Sequence, residues 1–199
     1  MHAPQNIIAL IFDFDDTLTD ESTTKLLEAY GIDTKDFWQN RVSDLTKAGW
    51  DSALAYLRLI LDHVGEGKPF GDLRNQTLRA FGSALQFYPG LPDLFADLRA
   101  TVAAHRLSRP AIEYYIISGG LEEIIKGSSI AQYFDGIYGC RFCEEGGRIR
   151  HVMNSISFTE KTKYIFAINK GVPSIREDPY AVNRKIEQAA RRIPIENMI

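Results

Sequence analysis

The segment IIALIFDFDDTLTD, Ile7 to Asp20, sets an almost unbroken apolar run directly against three carboxylates, Asp13, Asp15 and Asp16, followed by Thr17. A run that is apolar on both faces fits a strand covered by helices on both sides, the situation of a parallel α/β sheet. Acids at the C-terminal end of such a strand fall where open parallel sheets bind their ligands. Carboxylates this close repel one another unless something positive, usually a hard divalent cation, joins them. Oxygen ligands in a row suit magnesium, which takes few protein carboxylates and keeps several waters.

Two later runs have the same character, Glu113 to Ser118 and Asp135 to Phe142. The ninety or so residues between the first and second runs follow a helical rhythm instead. Helices are expected over Glu21 to Tyr30, Thr34 to Ala48, Asp51 to Val64 and Gly71 to about Leu85, with Asp51 as an N-cap and Gly65 as a C-terminal stop. Four helices inserted after a first strand read as a helical cap. The stretch FYPGLP, Phe87 to Pro92, reads as the hinge back to the core, and Pro92 opens the next helix, to His105.

Composition narrows the function classes. A chain of 199 residues with 45% hydrophobic and 25% charged content holds enough apolar material for a sizeable core. Its net charge of -3 provides no basic field for a polyanion, which argues against nucleic acid as a partner. The Ile7 to Phe12 run is too short to span a bilayer and ends in acids rather than a cleavage site, so no membrane role is expected and a cytoplasmic chain is. Cys140 and Cys143 lack a second ligand pair, and the expectation for them is structural, with a redox pair as the alternative.

Two more segments carry chemistry. In YYIISGGLEEIIKGS a strand ends at Ser118, and Gly119 and Gly120 are expected to open a helix whose free N–H groups would seat a phosphate. In SFTEKTKYIFAINKG, Thr159 is the expected N-cap and Lys161 lies in the first helical turn. A lysine there opposes the macrodipole, which invites a functional reason. Lys163 is the competing lysine. Asp20 and Glu21 serve either as helix N-terminal charges or as substrate contacts.

At these residues the chain resembles the haloacid-dehalogenase-like hydrolase superfamily, in its phosphoserine-phosphatase-like branch. The pattern DxDx(T/V) matches Asp13, Asp15 and Thr17; the second motif, a Ser or Thr ending a strand, matches Ser118; the third, a lysine, matches Lys161 best. The resemblance implies a Rossmann-like parallel sheet with helices on both faces, a core over 1–19 and 88–199, and a helical cap over 20–87. It also implies a magnesium-dependent phosphatase acting on a small phosphorylated metabolite. Asp13 would be the nucleophile, forming an aspartyl-phosphate, and Asp15 the general acid and base. Ser118, Gly119, Lys161 and Thr17 would hold the phosphate. Asp13 and the backbone carbonyl of Asp15 would hold Mg2+. Asp16, where relatives often carry Gly or Ser, is expected to serve conformation. A phosphomutase of the same superfamily, or a catalytically dead binding module, are the alternatives; Asp15 argues against a dehalogenase.

Two departures accompany the resemblance. The position where phosphoserine phosphatases carry a substrate-binding glutamate is Ser22 here, so phosphoserine is not secured as substrate. The fourth motif, a carboxylate pair completing the metal site, should follow a helix at Asp178 to Arg192 and another strand. The sequence stops at IPIENMI, which reads as truncated and inactive or weakly metal-binding, with the first strand left as an edge prone to self-association.

Overall fold

The structure is a computed structural model and describes residues 5–104, 110–172 and 175–199. Its sheet has four strands in the order β1-β2-β3-β4: β1 (Ile7–Phe12), β2 (Ala111–Leu121), β3 (Gly136–Glu145) and β4 (Arg148–Asn154). The first three run parallel, with Ile7 opposite Ala111 and Tyr115 opposite Gly136. β4 returns antiparallel to β3, so the sheet is mixed rather than wholly parallel. Gly146 and Gly147 form the tip of that hairpin with φ of 58° and 79°. A two-residue turn with positive φ at both positions suits Gly-Gly and matches the twist of the flanking strands.

Both faces of β2 are covered. Successive strand residues point to opposite sides, and Tyr114 meets Phe95 of α5 (Asp93–Ala103), its hydroxyl donating to the Phe95 carbonyl at 2.8 Å. On the opposite face Tyr138, paired in register with Ile117, stacks on Tyr164 of α7 (Phe158–Lys170). The helix expected to Pro92–His105 thus spans Asp93–Ala103, and His105 lies outside the described residues.

Between β1 and α5 the chain is helical. α1 (Ser22–Ala29) precedes a π-helix at Asp36–Val42, then α2 (Ser43–Lys47), α3 (Ser52–Asp62) and α4 (Asn75–Gly82). Asp51 caps α3 as expected, its carboxylate accepting from the Leu54 N–H at 3.0 Å. The last of these helices is shorter than the Gly71 to Leu85 expected from spacing.

α4 packs on α6 (Glu122–Gly127) at backbone contact distance. A Cβ on Gly82 would stand 2.0 Å from the Ile124 carbonyl oxygen, and one on Gly127 would stand 1.8 Å from that of Arg79. Only glycine permits this approach. The β3–β4 hairpin adds further ties, with Ile149 N–H donating to the Leu73 carbonyl at 2.8 Å and Asn75 Nδ2 to that of Phe142 at 3.3 Å.

Where a helix was expected over Asp178 to Arg192, the described chain makes short 3-10 turns at Pro179–Asn183 and Gln188–Ala190. The segment lacks an apolar stripe at helical spacing and is held by polar ties instead, Lys170 Nζ donating to the Val182 carbonyl at 2.6 Å and to that of Arg184 at 2.9 Å. The last residues lie beside β1 on the side away from β2. Met198 bridges to Ala9 in parallel, Ile199 N–H donates to the Ala9 carbonyl at 2.9 Å, and Ile11 N–H donates to the Ile199 carbonyl at 2.7 Å. The outer edge of β1 is therefore partly covered. Among the described residues no helix is long and apolar enough to cross a membrane.

Candidate active site

β1 delivers Asp13 to the C-terminal end of the sheet, and the chain turns sharply behind it. The Phe14 carbonyl accepts from the Leu18 N–H at 2.9 Å, and Asp16 takes the left-handed conformation at φ 56° that this turn requires. Short polar side chains tolerate that region better than most, which gives Asp16 the conformational role expected for it. The turn brings Asp15 back beside Asp13. The Ser22 N–H, at the start of α1, donates to Asp15 Oδ1 at 2.8 Å.

A cavity of about 370 Å³ lies between this turn and the helical segment, lined among others by Asp13, Asp15, Ser118, Gly119 and Lys161. Lys161 Nζ hydrogen-bonds Asp13 Oδ2. Lys163 instead pairs with Glu160 and lies over the Tyr164 ring, 5.1 Å from its centroid. Of the two lysines that spacing left open, Lys161 is the one brought to the acids. Ser157, not Thr159, is the N-cap of α7, and its carbonyl accepts from the Lys161 N–H at 3.3 Å.

The second motif is built differently from the expectation. Ser118, Gly119 and Gly120 all lie within β2, and the helix begins only at Glu122. Ser118 is buried, and its Oγ accepts from the Gly120 N–H at 2.9 Å, which leaves its O–H available to a ligand oxygen. Gly120 is essential to the geometry: a Cβ there would stand 2.3 Å from Asp15 Oδ2 and 3.3 Å from Ser118 Oγ. Thr17 stands apart, exposed and away from the cavity lining, with its N–H toward the Phe14 carbonyl at 3.4 Å.

Electrostatics separate the two aspartates. Burial pushes the Asp15 carboxyl up to about 6, with the hydrogen bonds from Ser22 acting in the opposite direction and the Glu21 and Asp13 charges adding to the rise. Asp13 is more open, its side chain 41% exposed. A raised carboxyl beside a second, more open one is an arrangement that acid–base chemistry can use.

Several residues at or beside the cavity were not legible as site residues, since helical spacing leaves Trp38 and Tyr56 as readily core or surface as specificity groups. Tyr56 of α3 donates its hydroxyl to the Gly119 carbonyl at 2.6 Å, and Cys140 Sγ donates to the same oxygen at 3.2 Å. Cys140 is buried and Cys143 is partly exposed, both as free thiols. Trp38 and Val42, one π-helical turn apart, form part of the upper wall, whereas Trp50 lies outside it under the Arg58 guanidinium, 4.9 Å from its ring centroid. Glu21 caps α1, accepting from the Thr24 N–H, and also lines the cavity. Asp20 pairs with Lys25 at 2.7 Å.

Among the described residues no cluster of three or more His, Cys, Asp or Glu stands ready to hold a metal ion. The Asp13 carboxylate, partly exposed at the cavity, is an oxygen donor of the kind a hard cation takes.

No family model matches the chain. A Borreliella burgdorferi protein described as an uncharacterized protein is 30% identical over 221 residues, an alignment that covers 100% of this chain and 75% of that protein. A HAD-family hydrolase from Salmonella enterica serovar Typhi superposes with a TM-score of 0.62 at 17% identity over 98% of the chain, which spans only 55% of that structure. A substrate-bound phosphoserine phosphatase superposes with a TM-score of 0.55 at 13% identity, over 96% of this chain and 75% of its own. The chain belongs to one family with the Borreliella protein, and its fold is the haloacid-dehalogenase-like fold.

Proposed function

We propose that the protein is a phosphoric monoester hydrolase that works through an aspartyl-phosphate on Asp13. The observation that carries this reading is the convergence of Asp13, Asp15, Ser118 and Lys161 on one cavity from three separate elements. In the first step an Asp13 carboxylate oxygen attacks phosphorus and the bond from phosphorus to the alcohol oxygen breaks, with Asp15 protonating the departing alkoxide. In the second, Asp15 takes a proton from water as that water attacks phosphorus. The acyl phosphate bond breaks, inorganic phosphate is released and the Asp13 carboxylate is restored.

Lys161 and the Ser118 hydroxyl hold the phosphoryl oxygens and offset the charge that grows on them, with the Gly119 main chain beside them. The Asp13 carboxylate and the Asp15 main-chain carbonyl would hold Mg2+, which would supply charge neutralisation at the phosphoryl group. The substrate class is a small phosphorylated metabolite.

The test is release of phosphate from 4-nitrophenyl phosphate with and without magnesium, for wild type and Asp13→Asn. Magnesium-dependent release that disappears in the variant is expected. Release at wild-type level from Asp13→Asn overturns the assignment of the nucleophile.

A further inference from the structure

The upper wall of the cavity has a definite chemical character. Among the described residues that line the cavity, Lys161 is the one cation, and it is already paired with Asp13. Against it stand three carboxylates, Asp13, Asp15 and Glu21. The remaining wall is largely apolar or aromatic, with Trp38 and Tyr56 at 5.8 Å between ring centroids. Phe158, 86% exposed at the head of α7, adds an aromatic surface to the lining.

Trp38 and Val42, four residues apart on the π-helix, come to the same wall. A π-turn advances about five residues per hydrogen bond, which rotates side chains relative to an α-helix, and such turns concentrate at functional sites. The Trp38 indole N–H donates to Thr24 Oγ1 at 2.8 Å, which fixes the ring. This wall offers no cation to a carboxylate or a second phosphate, only the hydroxyls of Thr23, Ser52 and Ser157. A ligand anion placed there would lose its hydration without a compensating charge and would face Glu21. A neutral aromatic or aliphatic body would bury apolar surface, and an ammonium would meet aromatic faces and a carboxylate.

We infer, resting on the phosphatase reading, that the site selects phosphate monoesters whose alcohol part carries no negative charge and presents an apolar or cationic body to Trp38 and Tyr56. Phosphoserine, with its carboxylate, is therefore a poor substrate despite the resemblance in fold.

A matched set of esters tests this on the wild-type protein. Phosphoserine and phosphoethanolamine differ by one carboxylate, and phenyl phosphate carries no charge beyond the phosphate. Both carboxylate-free esters are expected to exceed phosphoserine in kcat/KM by roughly tenfold to a hundredfold, the range set by one mismatched group in a binding site. Phosphoserine equal to or better than phosphoethanolamine overturns the inference. If none of the three turns over, the phosphatase reading falls by itself, and calorimetric affinities of the same esters decide the inference. Tighter binding of the two carboxylate-free esters supports it, and equal or tighter binding of phosphoserine sinks it.

Discussion

The Tyr56 hydroxyl donates to the Gly119 carbonyl at 2.6 Å, joining α3 of the helical segment directly to the strand that carries Ser118. Burial raises the Tyr56 phenol well above its ordinary value, so it stays a donor throughout the working pH range. Tyr56→Phe is expected to cost about 1 kcal/mol of stability, the usual worth of one such bond. It should also raise KM more than it lowers kcat, because the bond positions the upper wall rather than the reacting atoms. Urea unfolding and steady-state kinetics check the two effects, and an unchanged KM would deny the tie any part in closing the cavity.

Lys161 and Lys163 are two residues apart on α7, yet one bonds Asp13 and the other Glu160. Lys161→Ala is expected to lower kcat by roughly a hundredfold to a thousandfold, the cost of removing a donor aimed at developing charge. Lys163→Ala removes a partly exposed ion pair worth about 0–1 kcal/mol and should leave turnover within about twofold of wild type. Reversal of that order would move the phosphate-binding role to Lys163.

How far the sequence foretold these features depends on the range of the interactions behind them. Asp13 and Asp15 were legible because an apolar run meeting acids is a local event, and Ser118 because it ends a similar run. The choice of Lys161 over Lys163 was only weakly legible, since the distance to Asp13 is set by packing of α7 on the sheet, across 148 positions of chain. β4 escaped because RIRHVMN is a polar, solvent-facing edge. Its signal was EEGGR, a Gly-Gly turn between alternating residues. The helix expected near 178–192 rested on charge-rich composition without an apolar face, which decides little when tertiary contacts do not favour it. The start of the following helix was placed too early because Gly119 and Gly120 remain in the strand, where the lack of a Cβ on Gly120 makes room for Asp15.

The contact of α4 with α6 depends on glycine at two positions, Gly82 and Gly127. A Cβ on Gly127 would overlap backbone, the Arg79 carbonyl oxygen at 1.8 Å, and backbone cannot rotate aside as a side chain can. Gly127→Ala is expected to cost about 1–3 kcal/mol, as overpacking does, despite the better helix propensity of alanine. Gly49→Ala is the contrast: its φ of 95° strains a side chain, but nothing lies within 4 Å. If Gly127→Ala were as stable as wild type in denaturant unfolding, the two helices would have to approach less closely than described here.

The C-terminal segment docks on β2 through Arg192, whose guanidinium reaches both oxygens of Glu113, at 2.7 Å for Nη1 to Oε2. Burial alone would raise the Glu113 carboxyl, but the hydrogen bonds from Arg192 and Tyr115 outweigh it and hold the group below its ordinary value. A carboxyl lowered in the folded state contributes stability that is fully present above its unfolded value and is lost as pH falls toward the folded one. Arg192→Met should therefore destabilise the protein at pH 7 by up to about 1 kcal/mol, given how exposed the pair is. The difference from wild type should shrink as the pH drops below the ordinary glutamate range, where Glu113 becomes protonated in both proteins. Denaturant midpoints at neutral and acid pH measure this. A difference that stays constant across that range would assign the effect of Arg192 to the packing of its stem rather than to the charge on Glu113.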